Sequence, residues 1–491
     1  MHATTPMRRR ARALGLAVAC AGLGLCGIAA AQALPAIKPG QIASNFEQLR
    51  VTAVADQLIA YLIRASAWVD RPETRLPSAA LAERVRDAVL AHPEVRLSLE
   101  QRQTASLATR EAFAGFLPQV SGNVESGWRS NDLVSTPWSN VPAFKDNTRA
   151  LALSARQLVY DFGAVGSQVD ARTSLQAAAA ARAEIKTSEL TLRALTAWLE
   201  MFRAREVFAL SQMNVASRQQ ILSFIDERER LGGSPKSDVL RARARLADAL
   251  AVEVAAKNRL SAAEAGYREA FDAPPPAQIA LPIGAVVTMG RYANLGDWVS
   301  RNANVAEARA QTEAAGHEAK SATASLLPSI QFEVSARRRD LGGEGVPGLD
   351  WTAGFSVKQN LYSGGADVAR KQQADQRAVE SRLAEDKLRR QVERAFAQAM
   401  ADVNNSAAAV AARKEAAQVA AVALEAVREQ FAFRRGTLLD LLRAQEELYA
   451  AGRDLIDGIV DESLVRYRLL DLAMELTPLF GIPLPGAAPA N

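Results

Sequence analysis

Two hydrophobic periods alternate along this chain, and each occurs twice. From residue 120, Val120, Gly122, Val124, Ser126 and Trp128 fall on one face, against Ser121, Asn123, Glu125 and Arg129 on the other. Period two with polar partners predicts a strand. A loop with Pro137, Asn140 and Pro142 follows. Leu151, Leu153 and Ala155 then alternate in a second strand over 148–160, closing a hairpin. The figure returns later. Ile330, Phe332 and Val334 alternate with Gln331, Glu333 and Ser335; Gly342, Gly343, Gly345 and Pro347 mark a loop; Trp351, Ala353, Phe355 and Val357 alternate on the way back. A helical pattern precedes each hairpin, over 78–116 and up to about 326. It stops at Leu117-Pro118 and at Leu327-Pro328, because proline cannot continue a helix.

Each hairpin leads into a proline-free helical stretch, 164–230 and 366–435. Such a helix is roughly 100 Å long at 1.5 Å per residue. At that length it must be buried against neighbours. Val392, Phe396, Ala399 and Val403 keep a three-to-four rhythm. So do Leu441, Leu448, Gly452, Leu455, Ile459 and Leu470, with Gln445 as one polar member. Alanine runs such as Ala177–Ala181 permit close approach. The stretches break at Leu231-Gly-Gly-Ser-Pro235 and at Arg435-Gly436-Thr437, then resume to about Phe271 and Leu476. These breaks read as tips of helical hairpins, with Asp238 and Asp440 opening the return helices.

The two halves are copies in register. Gln157-Leu-Val-Tyr-Asp-Phe-Gly163 recurs as Gln359-Asn-Leu-Tyr-Ser-Gly-Gly365, and Asp238-Val-Leu-Arg-Ala-Arg243 as Asp440-Leu-Leu-Arg-Ala-Gln445, both 202 positions on. The Leu-Pro pairs are 210 apart, so the first hairpin loop is longer. The division predicted is 1–31 signal peptide, 34–77 lead-in without an assigned role, 78–272 first repeat, 273–294 Pro-rich linker, 295–477 second repeat and 478–491 disordered tail.

Composition adds the compartment. Arg8, Arg9, Arg10 and Arg12 precede the apolar run 13–29 and small residues at 29–33, as in a secretion leader. Translation from Met7 would shorten it; a membrane anchor, or a lipid on Cys20, is the alternative. Both cysteines, Cys20 and Cys26, lie in this leader. The formal charge of +5 includes four leader arginines, so +1 remains after cleavage and nothing favours nucleic acid. No apolar run of about 18 residues follows the leader, which excludes a spanning helix but not spanning strands. His92 and His317 lack metal-ligand spacing, and Gly342-Gly-Glu-Gly345 lacks the Lys of a phosphate loop. No catalytic constellation appears, so no enzyme and no cofactor are expected.

Four strands of this length cannot close a barrel, and open edges do not stand in lipid. Several copies must share one barrel; three would give twelve strands. The chain resembles the TolC family of outer-membrane export channels, over about 79–480. The Leu-Pro strand starts, the junctions at 157–163 and 359–365, and the two Gly…Asp tips carry the resemblance. It implies a mixed α and β membrane protein with internal duplication. Four β-strands per chain would enter a shared trimeric outer-membrane β-barrel, and long coiled-coil helices would form a periplasmic α-barrel. It implies a homotrimer in outer-membrane lipid, a periplasmic adaptor (membrane fusion) protein, and an inner-membrane ABC or proton-driven transporter.

The resemblance also assigns roles. Arg230, Leu231, Gly232, Gly233, Ser234, Arg434, Arg435, Gly436 and Thr437 become tip residues that receive the adaptor; as plain turn residues they need no further role. Asp440 becomes an aperture carboxylate, with helix N-cap as the simpler reading. The second acid of the family pattern is Arg443 here. Asp238 is a cap or an intersubunit partner of Arg434 or Arg435. Glu425 and Glu429 read as solvated. Trp128, Trp138 and Trp351 suit a membrane girdle or ordinary packing. The function expected is an outer-membrane export channel, with type I protein secretion favoured by the His92-Pro-Glu and Leu158–Gly163 regions. Small-molecule efflux is the alternative, and a periplasmic coiled-coil scaffold without a pore the different-class one.

Overall fold

The structure is a computed structural model, and it describes residues 57–70, 78–131, 134–136, 138–141, 144–281, 289–292, 294–339, 348–433 and 435–483. The predicted signal peptide, the lead-in before residue 57, Arg434 and residues 484–491 lie outside them. In chain order the elements are α1 (57–69), α2 (Ala79–Ala91), α3 (Pro93–Phe113), β1 (Gln119–Asn131), β2 (Val134–Thr136), β3 (Ser139–Val141), β4 (Phe144–Tyr160), α4 (Ala164–Arg230) and α5 (Lys236–Phe271). Then follow α6 (Leu295–Arg301), α7 (Ala303–Ala324), β5 (Ser329–Arg339), β6 (Gly348–Lys358), α8 (Ala366–Ala432), α9 (Leu438–Leu472) and α10 (Leu476–Leu479).

The sheet runs β1-β4-β5-β6, antiparallel throughout, so the two hairpins join through β4 and β5. The register sorts the faces. One carries rows such as Val120–Ala155–Val334–Ala353 and Gly122–Leu153–Ala336–Trp351. The other carries Ser121–Ser154–Ser335–Thr352 and Gln119–Arg156–Glu333–Gly354. On the polar face Arg156 Nε meets Glu333 Oε1 at 2.7 Å, and Arg337 Nη2 meets Glu125 Oε2 at 2.8 Å. Trp128, Trp138 and Trp351 are all exposed.

The long helices start alike. Gly163 (φ 85°) and Gly365 (φ 84°) adopt the left-handed conformation that lets strand turn into helix. The Asp161 carboxylate accepts from the N–H groups of Gly163 and Val165 at 3.0 and 2.6 Å. At the equivalent place the Ser363 hydroxyl accepts from Asp367 N–H at 3.2 Å. These groups serve amides that no helix carbonyl reaches.

Antiparallel hairpins α4–α5 and α8–α9 meet along a seam between α4 and α9. Trp198, Leu199, Phe202, Tyr267, Leu455 and Tyr467 belong to one apolar cluster, and Leu210, Ile225, Leu424, Phe431, Leu441 and Leu448 to a second, nearer the tips.

Three expectations are corrected. The helix expected over 78–116 is α2, α3 and a 3-10 turn at Ala114–Phe116. His92 separates α2 from α3, its Nδ1 accepting from Glu94 N–H at 3.2 Å, with Pro93 suited to the first helical position. Asn302 divides α6 from α7 in the same way, 210 positions on. The tail expected to be disordered from 478 is anchored to Ile482: α10 folds back, and Phe480 and Ile482 are buried in the first cluster. Asp238 and Asp440 are not N-caps. Pro235 and Thr437 hold those positions, and each aspartate is the third residue of its helix.

Candidate functional site: the hairpin tips and the seam above them

At the first tip α4 ends at Arg230. Gly232 takes φ 74°, where a side chain would be strained. The Gly233 N–H donates to Arg228 O at 2.8 Å, and Arg228 Nε donates to Gly233 O at 3.0 Å. Leu231 is well exposed, and Arg230 pairs with Glu227 of its own helix at 2.5 Å. Asp238 is half-buried in the first turn of α5, its N–H donating to Pro235 O at 3.0 Å.

The second tip closes by the same backbone bond: Arg435 N–H donates to Gln430 O at 2.8 Å, as does Gly436 N–H at 3.0 Å. A Cβ on Gly436 would stand 3.2 Å from Phe431 N, so this glycine answers to close approach. Thr437 then caps α9. Its hydroxyl oxygen accepts from Asp440 N–H at 3.2 Å. The Asp440 carboxylate accepts from the Thr437 hydroxyl at 2.6 Å and from Thr437 N–H at 3.3 Å. This is a capping box with aspartate in the usual Glu position. Those bonds, and to a smaller degree the Arg443 charge, hold the Asp440 carboxyl below its usual range. Asp440 and Arg443 both face solvent.

Behind the tips a polar seam joins the hairpins. Gln445 Nε2 donates to Ser217 Oγ at 2.8 Å, and Arg218 Nη1 donates to Leu442 O at 3.1 Å, all among buried residues. Burial pulls the Arg218 pKa down, with Glu446 opposing. Gln445 is the polar member that interrupts the apolar rhythm of α9; its partner could not be read from α9 alone. Phe431 packs edge-on against Phe224 at 6.1 Å, under the Arg228 guanidinium at 5.7 Å.

Further from the tips, a groove of about 720 Å³ opens between α4, α5 and α9 over small residues such as Ala197, Ala256 and Ala263. Asp457 and Asp471 line it. Burial raises both pKa values; Arg203 opposes the rise at Asp457 and the Ser188 hydroxyl, bonded to the carboxylate, at Asp471.

A family model described as outer membrane efflux protein matches residues 85–271 and 295–458. The chain belongs to this family. It therefore sits in the outer membrane and extends into the periplasm. Outer membrane efflux protein BepC of Brucella suis biovar 1 (strain 1330) is 26% identical over 291 residues, 58% of this chain and 63% of that protein. Proteases secretion protein PrtF of Dickeya chrysanthemi is 26% identical over 306 residues, 59% of this chain and 64% of that protein. The chain thus spans less than two thirds of either relative. The crystal structure of the outer membrane protein VceC from Vibrio cholerae superposes with a TM-score of 0.72 at 18% identity, covering 81% of this chain and 96% of that one. The family match runs through both tips and both hairpin seams, and it begins after α1.

Proposed function

We propose that this chain is one protomer of a trimeric outer-membrane channel that receives cargo from an inner-membrane transporter and passes it across the periplasm to the exterior. The observation that carries this reading is the sheet. One face is apolar and one polar, and β1 and β6 end it with no strand beside them among the described residues. Pairing β1 of one copy with β6 of the next leaves lipid no open edge, and with three copies it closes a twelve-stranded barrel. The small-residue groove between α4, α5 and α9 is then covered by the neighbouring copy.

The tips form the periplasmic entrance. Arg230, Leu231, Gly232, Gly233 and Ser234 at one, and Arg435, Gly436 and Thr437 at the other, present exposed turns to a periplasmic adaptor. Asp440 is the aperture carboxylate. Its bonds to Thr437 keep it ionised, so three copies favour cations and repel one another. Arg443, one turn on, replaces a second acidic ring and limits that selectivity. Asp238 remains available to a neighbouring copy.

Single-channel recording tests this. Purified protein in a planar bilayer should give discrete openings, and Asp440→Ala should reduce cation preference without lowering the rate of insertion. Absence of openings from a folded trimer would leave a poreless scaffold. For cargo we favour polypeptide secretion, a reading that the relationship to PrtF supports; the relationship to BepC favours small-molecule efflux. Deleting the gene should retain a secreted protein in the cell under the first reading, and sensitise cells to toxic compounds under the second.

A further inference from the structure

One well-packed segment outside the family match is α1. Leu58, Tyr61, Leu62 and Ala65 are buried along one face, with Trp68 half-buried beyond them. The spacing is that of an amphipathic helix. That face lies over the seam where the two hairpins meet and reaches three of the four long helices. On α4, the Tyr61 hydroxyl donates to Glu206 Oε2 at 2.6 Å, and Trp68 packs edge-on against Phe202 at 5.2 Å. On α8, Lys414 Nζ donates to Asp70 Oδ1 at 2.5 Å. On α9, Leu62 fills a notch at Gly452, where a Cβ would stand 2.6 Å from Leu62 Cδ2 and 3.3 Å from Leu210 Cδ2. Gly452 has no backbone need to be glycine inside a helix, where glycine is unfavourable. Room for Leu62 is the physical reason the position requires.

The seam below this contact is poorly self-sufficient. Among the described residues, Arg218 Nε and Gln445 Oε1 are buried there without a hydrogen-bond partner, and such groups weaken an interface. Apolar closure of the upper seam is supplied from outside the two hairpins, by α1. Gly452 lies 14 residues into α9 from Leu438, roughly 21 Å along the helix from the tip.

We propose that residues 57–70 are a clasp: docked on the seam they hold α8–α9 against α4, and the aperture widens only when α9 leaves the clasp. The consequence for the aperture rests on the reading of the tips given above; the docking does not. Separation of the hairpins at the tips must either drag α1 from α4, breaking the Tyr61 and Trp68 contacts, or empty the Gly452 notch. The clasp therefore biases a two-state element toward the closed arrangement, and anything that binds the released state better opens it.

The test uses the full chain carrying Leu62→Glu and Trp68→Ala, which places a charge in the notch and removes the contact to Phe202. Trypsin cleavage at exposed Arg64 reports docking, and planar-bilayer conductance reports the aperture. The clasp predicts cleavage at least ten-fold faster than in the wild type and a several-fold rise in mean conductance. Faster cleavage with unchanged conductance overturns the clasp and leaves the channel standing. Equal cleavage in both proteins also overturns it, since α1 would not be docked. Openings in neither protein remove the channel reading, and with it the clasp's role. A second variant works in the opposite direction and needs no destabilised fold. The chain beyond residue 31 has no cysteine, so Asp70→Cys with Lys414→Cys can be bridged by a short bis-maleimide. Bridging should hold conductance at or below the wild-type level under conditions that otherwise open the channel. Unimpeded opening of the bridged protein would refute the proposal.

Discussion

The two hairpin tips share a backbone and differ in chemistry. Gly233 N–H to Arg228 O and Arg435 N–H to Gln430 O are the same bond, 202 positions apart. The caps are not the same. Thr437 and Asp440 satisfy each other at the second tip, whereas Pro235 offers no side-chain cap and leaves the Asp238 carboxylate outside any capping box. Burial diverges too. Leu442 is 2% exposed beneath α4, while its equivalent Leu240 is 59% exposed. Duplication preserved the turn, which steric geometry dictates. The side chains differ: α9 buries Leu442 against α4 within the protomer, and α5 leaves Leu240 exposed.

The largest test of that contrast is Leu442→Ala against Leu240→Ala. The first removes a buried side chain and should cost about 2–4 kcal/mol. The second should stay within about 0.5 kcal/mol in the isolated protomer. Urea midpoints followed by circular dichroism in detergent measure both. A large cost for Leu240→Ala that appears only in the assembled protein would show that a neighbouring copy covers α5.

Next come the caps. Thr437→Ala should lose about 1 kcal/mol, and Pro235→Ser should gain part of that at the other tip. Hydrogen exchange of the first-turn amides of α5 and α9 reads each effect locally. Equal protection at both tips in the wild type would dissolve the distinction.

A smaller effect concerns the groove. Burial raises the Asp471 pKa, so the folded chain binds this proton more tightly than the unfolded chain does. The associated stability is fully present below the ordinary carboxylate pKa and is lost as pH rises through the raised folded value. Asp471→Asn still accepts from Ser188. It should flatten that slope and stabilise the protomer near neutral pH by on the order of 1 kcal/mol. Asp440 has the opposite sign: its pKa is lowered, so its contribution is present above the ordinary value and is lost as pH falls through the folded one. Asp440→Asn should therefore be less stable than wild type near neutral pH, and the deficit should vanish at acid pH, in the same titration followed by circular dichroism.

Most of this architecture is legible in the chain because it rests on local periods. Val120–Trp128 can face only one way as a strand, and the 202-residue register carries one assignment onto the other. What escaped depended on partners. Leu58, Tyr61, Leu62, Ala65 and Trp68 do keep a helical rhythm, yet α1 is short. Its groove exists only once α4 and α9 have met. Phe480 and Ile482 sit beside Gly481 and Pro483, where composition argues for disorder; their anchorage is tertiary. At the second tip Thr437 is inconspicuous as a cap in the sequence because the third helical residue is Asp, a shorter version of the usual box. The tip roles of Arg230, Leu231 and Arg435 concern another molecule, and nothing within the protomer fixes them.

The β4–β5 pairing has a kinetic meaning as well. Ser154 lies opposite Ser335, 181 positions later in the chain. Non-local pairings of this kind are slow, since the loop must close before any contact forms. The α4–α5 hairpin lies wholly within that loop and can fold from contacts along its own length. The four-stranded sheet is consequently completed after the α4–α5 hairpin. Until that pairing forms, the chain would carry two separate hairpins, β1–β4 and β5–β6, and the continuous apolar face would come into being only when they join.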